Sequence, residues 1–293
     1  MFSLNQKINI KKYPYPYIVI ENFFEENFYK NLKMKFPSEE KFQSQPNKVN
    51  RMHYDTSFGD ELYNELITNS LEYKKLHQYV YSVDFVKKYL DIFKKDIQSE
   101  IKSKNLTNIF EYKIVEQALE KNKIFNKIDI QKSNKKNCHL YSRIDLGMGK
   151  KGYGLINGGK GIHVDNPQRL ISVIFYIGGF TKIQGGEFRV WEKINDEIKI
   201  FETIPPKENL MIVSLQNNIS FHDVNPVTEI NGNRNAFYMA ISANVKIWKN
   251  PKDNNFEKKF NKNRYISKDR NRFSSIFKKF YRALKLENLI KKN

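Results

Sequence analysis

The apolar positions of this chain follow two rhythms that change near residue 138. Before that point they recur at helical spacing. Phe28, Leu32 and Phe36 mark one face over residues 25–36, and Pro37 ends that run. Residues 59–101 read as helical as well, through Leu62, Leu66 and Leu71 and later Phe85, Tyr89 and Phe93, with Ser82 or Asp84 as an N-cap. A β-rich run, YIVIENFF, follows Pro14 and Pro16, and the polar stretch 38–58 has no clear period and reads as a loop. Residues 102–137 follow neither rhythm. From Cys138 the texture becomes short β-rich runs: CHLYSRIDL, GIHVD, RLISVIFYI, GEFRVWE, IKIFETI, NLMIVSL, ISFHDV and AFYMAISANVKIW. Gly, Pro and Asn clusters separate them, which is the pattern of an all-β sandwich, and eight runs in roughly 110 residues match the strand count of a jelly roll.

The expected organisation is therefore α+β. Residues 1–137 form a helical and strand support, 138–250 a β core, and 251–293 a charged linker leading to a C-terminal amphipathic helix through Phe277, Phe280, Tyr281, Leu284 and Leu289. Composition allows a sizeable core, with 40% hydrophobic and 14% aromatic residues in 293. The net charge of +19 invites a nucleic-acid reading, but its distribution weakens it. Residues 246–293 carry 16 Lys and Arg against 4 Asp and Glu, so the first 245 residues hold only +7, and the excess is mostly Lys rather than the base-reading Arg. The basic C-terminal helix could instead touch an anionic membrane surface or cover the sheet with a solvated Lys face. Cys138 is the single cysteine, which rules out an intramolecular disulfide and a Cys-based zinc site, and fits a reducing interior. With no signal-peptide pattern and no run of about 20 apolar residues, a cytoplasmic protein is expected.

The chemistry-bearing residues lie in the β region. His163 and Asp165 are two apart, so on a strand they share a face. His222 follows 57 residues later in another β run. Two imidazoles and one carboxylate on one face of a metal leave open positions, the arrangement of non-haem iron(II) oxygenases. Arg234, twelve residues past His222, opens the next run and could grip a carboxylate with its planar fork. The Gly-rich segment 149–161 is a candidate lid or a plain surface loop. Arg51 and His53 in the polar loop are candidate substrate contacts, His77 reads as a surface residue, and Arg143 and Arg189 face either substrate or solvent.

In order and spacing these pieces resemble the prolyl-hydroxylase-like branch of the 2-oxoglutarate oxygenases. HVDNP precedes RLISVIFYI, a Gly-Gly turn leads into GGEFRVW, NLMIVSLQNNISFHDV delivers the second histidine, and RNAFYMAIS carries the arginine. The resemblance runs from about Tyr141 to Ala243, and PYPYIVIENFFEENFYKNL is similar to the entry strand and helix of such enzymes. It implies a double-stranded β-helix of cupin-like type. It also implies iron(II) held by His163, Asp165 and His222, and 2-oxoglutarate whose distal carboxylate meets Arg234 and Tyr176. Tyr141 or Tyr153 would line the cosubstrate pocket. Dioxygen would be the other cosubstrate, with ascorbate as a candidate reductant. Some branches place a serine two residues after the arginine, where this chain has Ala236. The implied reaction is hydroxylation of an unactivated C–H bond in a peptidyl residue, such as proline, or in a small metabolite or sugar. A cupin-type metal enzyme of other chemistry and a non-catalytic jelly-roll binding module are the alternatives.

Overall fold

The β-rich runs become strands because their alternate residues have two separate apolar interiors to fill. The structure is a computed structural model that describes residues 8–44, 51–54, 61–115, 138–153, 161–195 and 197–249. In chain order its elements are β1 (Tyr17–Ile20), α1 (Glu26–Met34), β2 (Gln43–Ser44), β3 (Arg51–Tyr54), α2 (Glu61–Asn69), α3 (Leu71–Val80), α4 (Val83–Ile92) and α5 (Lys94–Lys102). There follow β4 (Lys113–Ile114), β5 (His139–Gly149), β6 (Arg169–Gln184), β7 (Phe188–Ile194), β8 (Glu197–Ile204), β9 (Leu210–Leu215), β10 (His222–Val224) and β11 (Glu229–Ala243).

The large sheet has the order β1-β9-β6-β11-β5-β3-β2, with β4 paired in parallel to β5, and the small sheet has the order β10-β7-β8. An isolated antiparallel bridge between His163 and His222 adds a fourth member beside β10. The core is thus β5-β11-β6-β9 facing the His163 segment-β10-β7-β8, the four-plus-four crossing pattern of a double-stranded β-helix. The N-terminal residues enter the same large sheet, since β1 continues it beyond β9 with Tyr17 opposite Ser214.

Strand periodicity separates the two interiors. Val173, Phe175, Met211, Val213, Phe237, Met239 and Ile241 point to the helical side, where Phe175 packs against Phe24 and Phe237. Tyr17, Tyr176, Leu210, Ile212 and Ala236 point the other way and meet Phe188, Val190 and Ile204 of the small sheet. Burying each such aliphatic or aromatic side chain contributes about 1.5–3 kcal/mol, so both interiors resist a register slip that would swap the two sets.

Four expectations change. The stretch 38–58, read as a loop, contains β2 and β3, and β3 pairs with β5. The helical run 59–101 is four helices, because Ser70 and Ser82 each cap a new one, accepting from the Tyr73 and Phe85 N–H groups. The restart at Ser70 resets the helical phase, so Leu71 is 58% exposed while Tyr73, Leu76 and Val80 carry the buried face of α3; within α2 the buried face is Tyr63 and Ile67, and Leu62 is 41% exposed. Residues 161–165 are not a strand: His163 alone has a ladder partner, after Gly161 at φ 69°. Arg234 does not open its strand but lies within β11, which runs on through Asn231-Gly232-Asn233 because Gly232 takes φ 99° at a bulge. Residues 154–160, most of the candidate lid, and the tail 251–293 lie outside the described residues. Among those described, no helix is long and apolar enough to cross a membrane.

Candidate active site

Between the two sheets lies a cavity of about 200 Å³, lined on one side by His163, Asp165 and His222 and elsewhere by Phe188, Ile174, Ile212, Tyr153 and Tyr238. The three polar residues reach it by different routes. His222 begins β10, pinned to Val190 on one side and bridged to His163 on the other. The His163 N–H donates to the His222 carbonyl at 3.1 Å and the His222 N–H returns to the His163 carbonyl at 2.9 Å. The backbone thus sets the two imidazoles 4.6 Å apart, centroid to centroid, and Phe188 stacks on His222 at 5.4 Å.

Both rings are held in the same tautomer. His163 Nδ1 lies 2.7 Å from the Gly161 carbonyl and His222 Nδ1 lies 2.9 Å from the Ser220 carbonyl, in each case two residues back. A carbonyl only accepts, so each Nδ1 carries a proton, which leaves Nε2 as the nitrogen that can offer a lone pair to a metal. Asp165 is 5% exposed, and its Oδ2 accepts from Ser172 Oγ at 2.5 Å and faces Arg169 Nη1 at 3.0 Å. That oxygen lies 3.9 Å from His222 Nε2, and one donor atom from each of the three residues falls within 4.8 Å of the others. Two imidazole nitrogens and one carboxylate oxygen, already oriented, form a donor set that could hold a divalent ion such as iron(II).

The residue after His222 secures β10. Asp223 is 2% exposed and is gripped by Arg189 through Nε at 2.8 Å and Nη2 at 2.5 Å, while Trp191 Nε1 donates to the same carboxylate at 2.8 Å. Arg189 therefore faces neither solvent nor substrate; it ties β7 to β10.

The far end of the interior is organised around Arg234, whose side chain is fully buried. Its Nε donates to the Gly186 carbonyl at 3.1 Å, Nη2 to Tyr176 Oη at 2.8 Å and Nη1 to Tyr238 Oη at 3.2 Å. The guanidinium also lies over the rings of Tyr176 and Tyr153, at 4.6 and 5.5 Å. Among the described residues no carboxylate pairs with it. Burial pushes the Tyr176 phenol up while Arg234 pulls it down, and the balance is upward, so it stays a neutral hydroxyl. The Gly185-Gly186 turn is required here: a Cβ on Gly185 would meet the Pro226 carbonyl oxygen at 1.8 Å, and one on Gly186 would crowd Arg234 Cδ at 3.2 Å.

The structure thus brings together His163, Asp165 and His222 at one end, and Arg234, Tyr176 and Tyr153 at the other. Tyr141 joins neither group. It pairs with Ser242, eight strand positions from the Gly149 that faces Arg234, or about 26 Å at roughly 3.3 Å per residue. Ala236 is buried between Arg234 and Tyr238 among apolar neighbours. His77, expected at the surface, is 4% exposed, contacts Tyr63 Oη at 2.9 Å, and has its pKa pushed down to about 4 by burial. His53 is half-buried in β3, opposite Gly147 of β5. Sequence reasoning missed Tyr238, Ser172 and Arg169. Strand parity could have found Tyr238, four residues after Arg234 on the same face; nothing in the sequence singled out the other two.

Residues 152–241 match the family model described as 2OG-Fe(II) oxygenase superfamily. No curated protein matches. Among solved structures the chain is similar to a prolyl 4-hydroxylase from Phytophthora capsici, at 18% identity and a TM-score of 0.42, covering 81% of this chain and 61% of that one. It is similar to a Pseudomonas putida prolyl-4-hydroxylase, at 11% identity and a TM-score of 0.41, covering 77% and 91%. It is also similar to a prolyl hydroxylase from Trichoplax adhaerens in complex with a hypoxia inducible factor oxygen degradation domain peptide fragment, at 14% identity and a TM-score of 0.39, covering 77% and 83%.

Proposed function

We propose that this chain, a member of the 2OG-Fe(II) oxygenase superfamily through residues 152–241, is an iron(II)- and 2-oxoglutarate-dependent hydroxylase. One observation carries the reading. A single interior between two sheets holds a pre-oriented His2Asp donor set at one end and, at the other, a fully buried guanidinium that no carboxylate of the described residues pairs with. A buried cation without a counterion is costly, and a dicarboxylic cosubstrate would supply the anion.

In this reading His163, Asp165 and His222 hold iron(II), and Arg234, with Tyr176 and Tyr238, holds the distal carboxylate of 2-oxoglutarate. When bound, the metal and cosubstrate supply one reaction: dioxygen and 2-oxoglutarate are consumed, carbon dioxide and succinate are released, and a substrate C–H becomes C–OH. The chain's own part is positioning. Gly161 and Ser220 carbonyls keep the Nε2 lone pairs directed inward, and Ser172 and Arg169 fix the Asp165 carboxylate. Phe188, Ile174 and Ile212 make the walls apolar and exclude water. Ascorbate would keep the metal reduced, and the reducing cytoplasm suits both that ion and the lone Cys138. The substrate is a small molecule or a peptidyl residue.

The test is succinate release from 2-oxoglutarate by iron-loaded protein. Release that needs iron(II) and stops in Asp165→Ala is expected. Folded protein that binds neither metal nor 2-oxoglutarate would sink the proposal and leave a jelly-roll binding module.

A further inference from the structure

Four arginines surround the jelly-roll interior, and three of them are held by partners within the fold. Arg234 donates to two tyrosines and a carbonyl, Arg189 grips Asp223, and Arg169 meets Asp165 through Nη1 while its Nε has no hydrogen-bond partner among the described residues. Arg143 is different. Its side chain lines the cavity and is 31% exposed, and among the described residues its guanidinium makes no hydrogen bond. Its nearest opposite charge is Asp145, two residues along β5, at 3.6 Å from Nε to Oδ2. That distance is an ion pair too long for a hydrogen bond. Strand parity explains why both face inward: the intervening Ile144, with Leu140, Leu146 and Met148, faces the helical side.

Their position relative to the donor set follows from register. Arg143 is opposite Ala240, which is opposite Ser172, whose hydroxyl holds Asp165. Two strand spacings make this roughly 10 Å, the reach of a small substrate whose charged head lies on β5 and whose reacting carbon lies near the metal. The two charges have opposite sign and neighbouring places, so an anion alone would meet the Asp145 carboxylate and a cation alone would meet Arg143. A zwitterion satisfies both. The cavity, at about 200 Å³, is also below the roughly 300–1,000 Å³ of sites for drug-sized ligands.

We propose that Arg143 and Asp145 are the substrate-recognition pair of this site, and that they take the head group of a free amino acid or a similar small zwitterion. The carboxylate sits on the Arg143 fork and the ammonium on Asp145. This inference rests on the oxygenase reading above and names its substrate class. A guanidinium fork bonded to carboxylate is strong and planar, so an amide in its place loses both charge and geometry.

The experiment measures succinate formation by the full chain, loaded with iron(II) and 2-oxoglutarate, against each standard proteinogenic amino acid. Those that stimulate are compared with their C-terminal amides and N-acetyl derivatives. At least one free amino acid raises turnover well above the no-substrate background, and its amide has a KM higher by about tenfold or more. Arg143→Gln abolishes the difference between acid and amide, and Asp145→Asn abolishes that between free and N-acetyl forms. The derivative series on the unaltered protein needs no variant to fold. Equal stimulation by blocked and free forms overturns the proposal, as does stimulation by peptides alone. So does silence from every free amino acid in protein that binds iron and 2-oxoglutarate, and there the oxygenase reading survives. If the protein binds neither, that reading fails and takes the recognition pair with it.

Discussion

At the Arg234 end of the interior the hydrogen-bonding partners sit on paired strands or on the Gly-Gly turn: Arg234 and Tyr238 on β11, just past its bulge, Tyr176 on β6, and the Gly186 carbonyl leading into β7. At the His163, Asp165 and His222 end, by contrast, two of the three candidate donors lie on a segment with a single bridge, and carbonyls and side chains impose their orientation. The first end buries a permanent cation with no anion beside it among the described residues. The second holds two imidazoles and a carboxylate that are already hydrogen-bonded. One end is built to be completed by a ligand's charge, the other by a ligand's electron-pair acceptor. Paired strands suffice for the first, even beside a bulge, because arginine's long side chain reaches its own partners. A facial donor set needs atoms placed within a few tenths of an ångström, and an irregular segment tied at several points supplies that.

The largest effect expected from breaking this contrast is at the donor set. His222→Ala removes a nitrogen that no neighbour replaces, so metal binding and succinate release fall to background while 2-oxoglutarate's site at Arg234 stays intact. Next comes Arg234→Met. Loss of a buried charge contact costs about 2–5 kcal/mol, roughly 30-fold to several thousand-fold in 2-oxoglutarate affinity, which calorimetry reads directly. The same variant sharpens the comparison through stability. Without ligand its Tm should not drop, because a buried unpaired cation has been removed, whereas the upward Tm shift that 2-oxoglutarate gives the unaltered protein disappears. Ser172→Ala comes third. It frees the Asp165 carboxylate from one tether and should weaken metal binding by about 10–100-fold, leaving Arg234 untouched. The smallest effect is Tyr238→Phe. Its 3.2 Å hydrogen bond contributes about 1 kcal/mol, so 2-oxoglutarate affinity falls roughly fivefold and metal affinity does not move.

The same contrast explains what could be read from the sequence. Periodicity located β5, β6, β7, β8, β9 and β11 because each fills an apolar interior with alternate residues, and Ser82 was readable as a cap because its hydroxyl accepts from the Phe85 N–H. The HVD spacing pointed to His163 and Asp165, yet the strand geometry used to argue it does not exist there; the bridge to His222 does that work. Helix phase past Ser70 was not legible, since a cap restarts the count and moves burial from Leu71 to Tyr73, Leu76 and Val80. Arg189 and Ser172 escaped for a different reason. Their partners, Asp223 and Asp165, are 34 and 7 residues away, and only the folded sheet shows which side chains meet.

The most direct test of the central claim is an anaerobic titration of the protein with iron(II) and 2-oxoglutarate, followed by visible absorption. The account predicts a weak charge-transfer band that requires both components, is lost in His222→Ala, and needs far more 2-oxoglutarate in Arg234→Met. A folded, metal-loaded protein in which 2-oxoglutarate produces no band would contradict it.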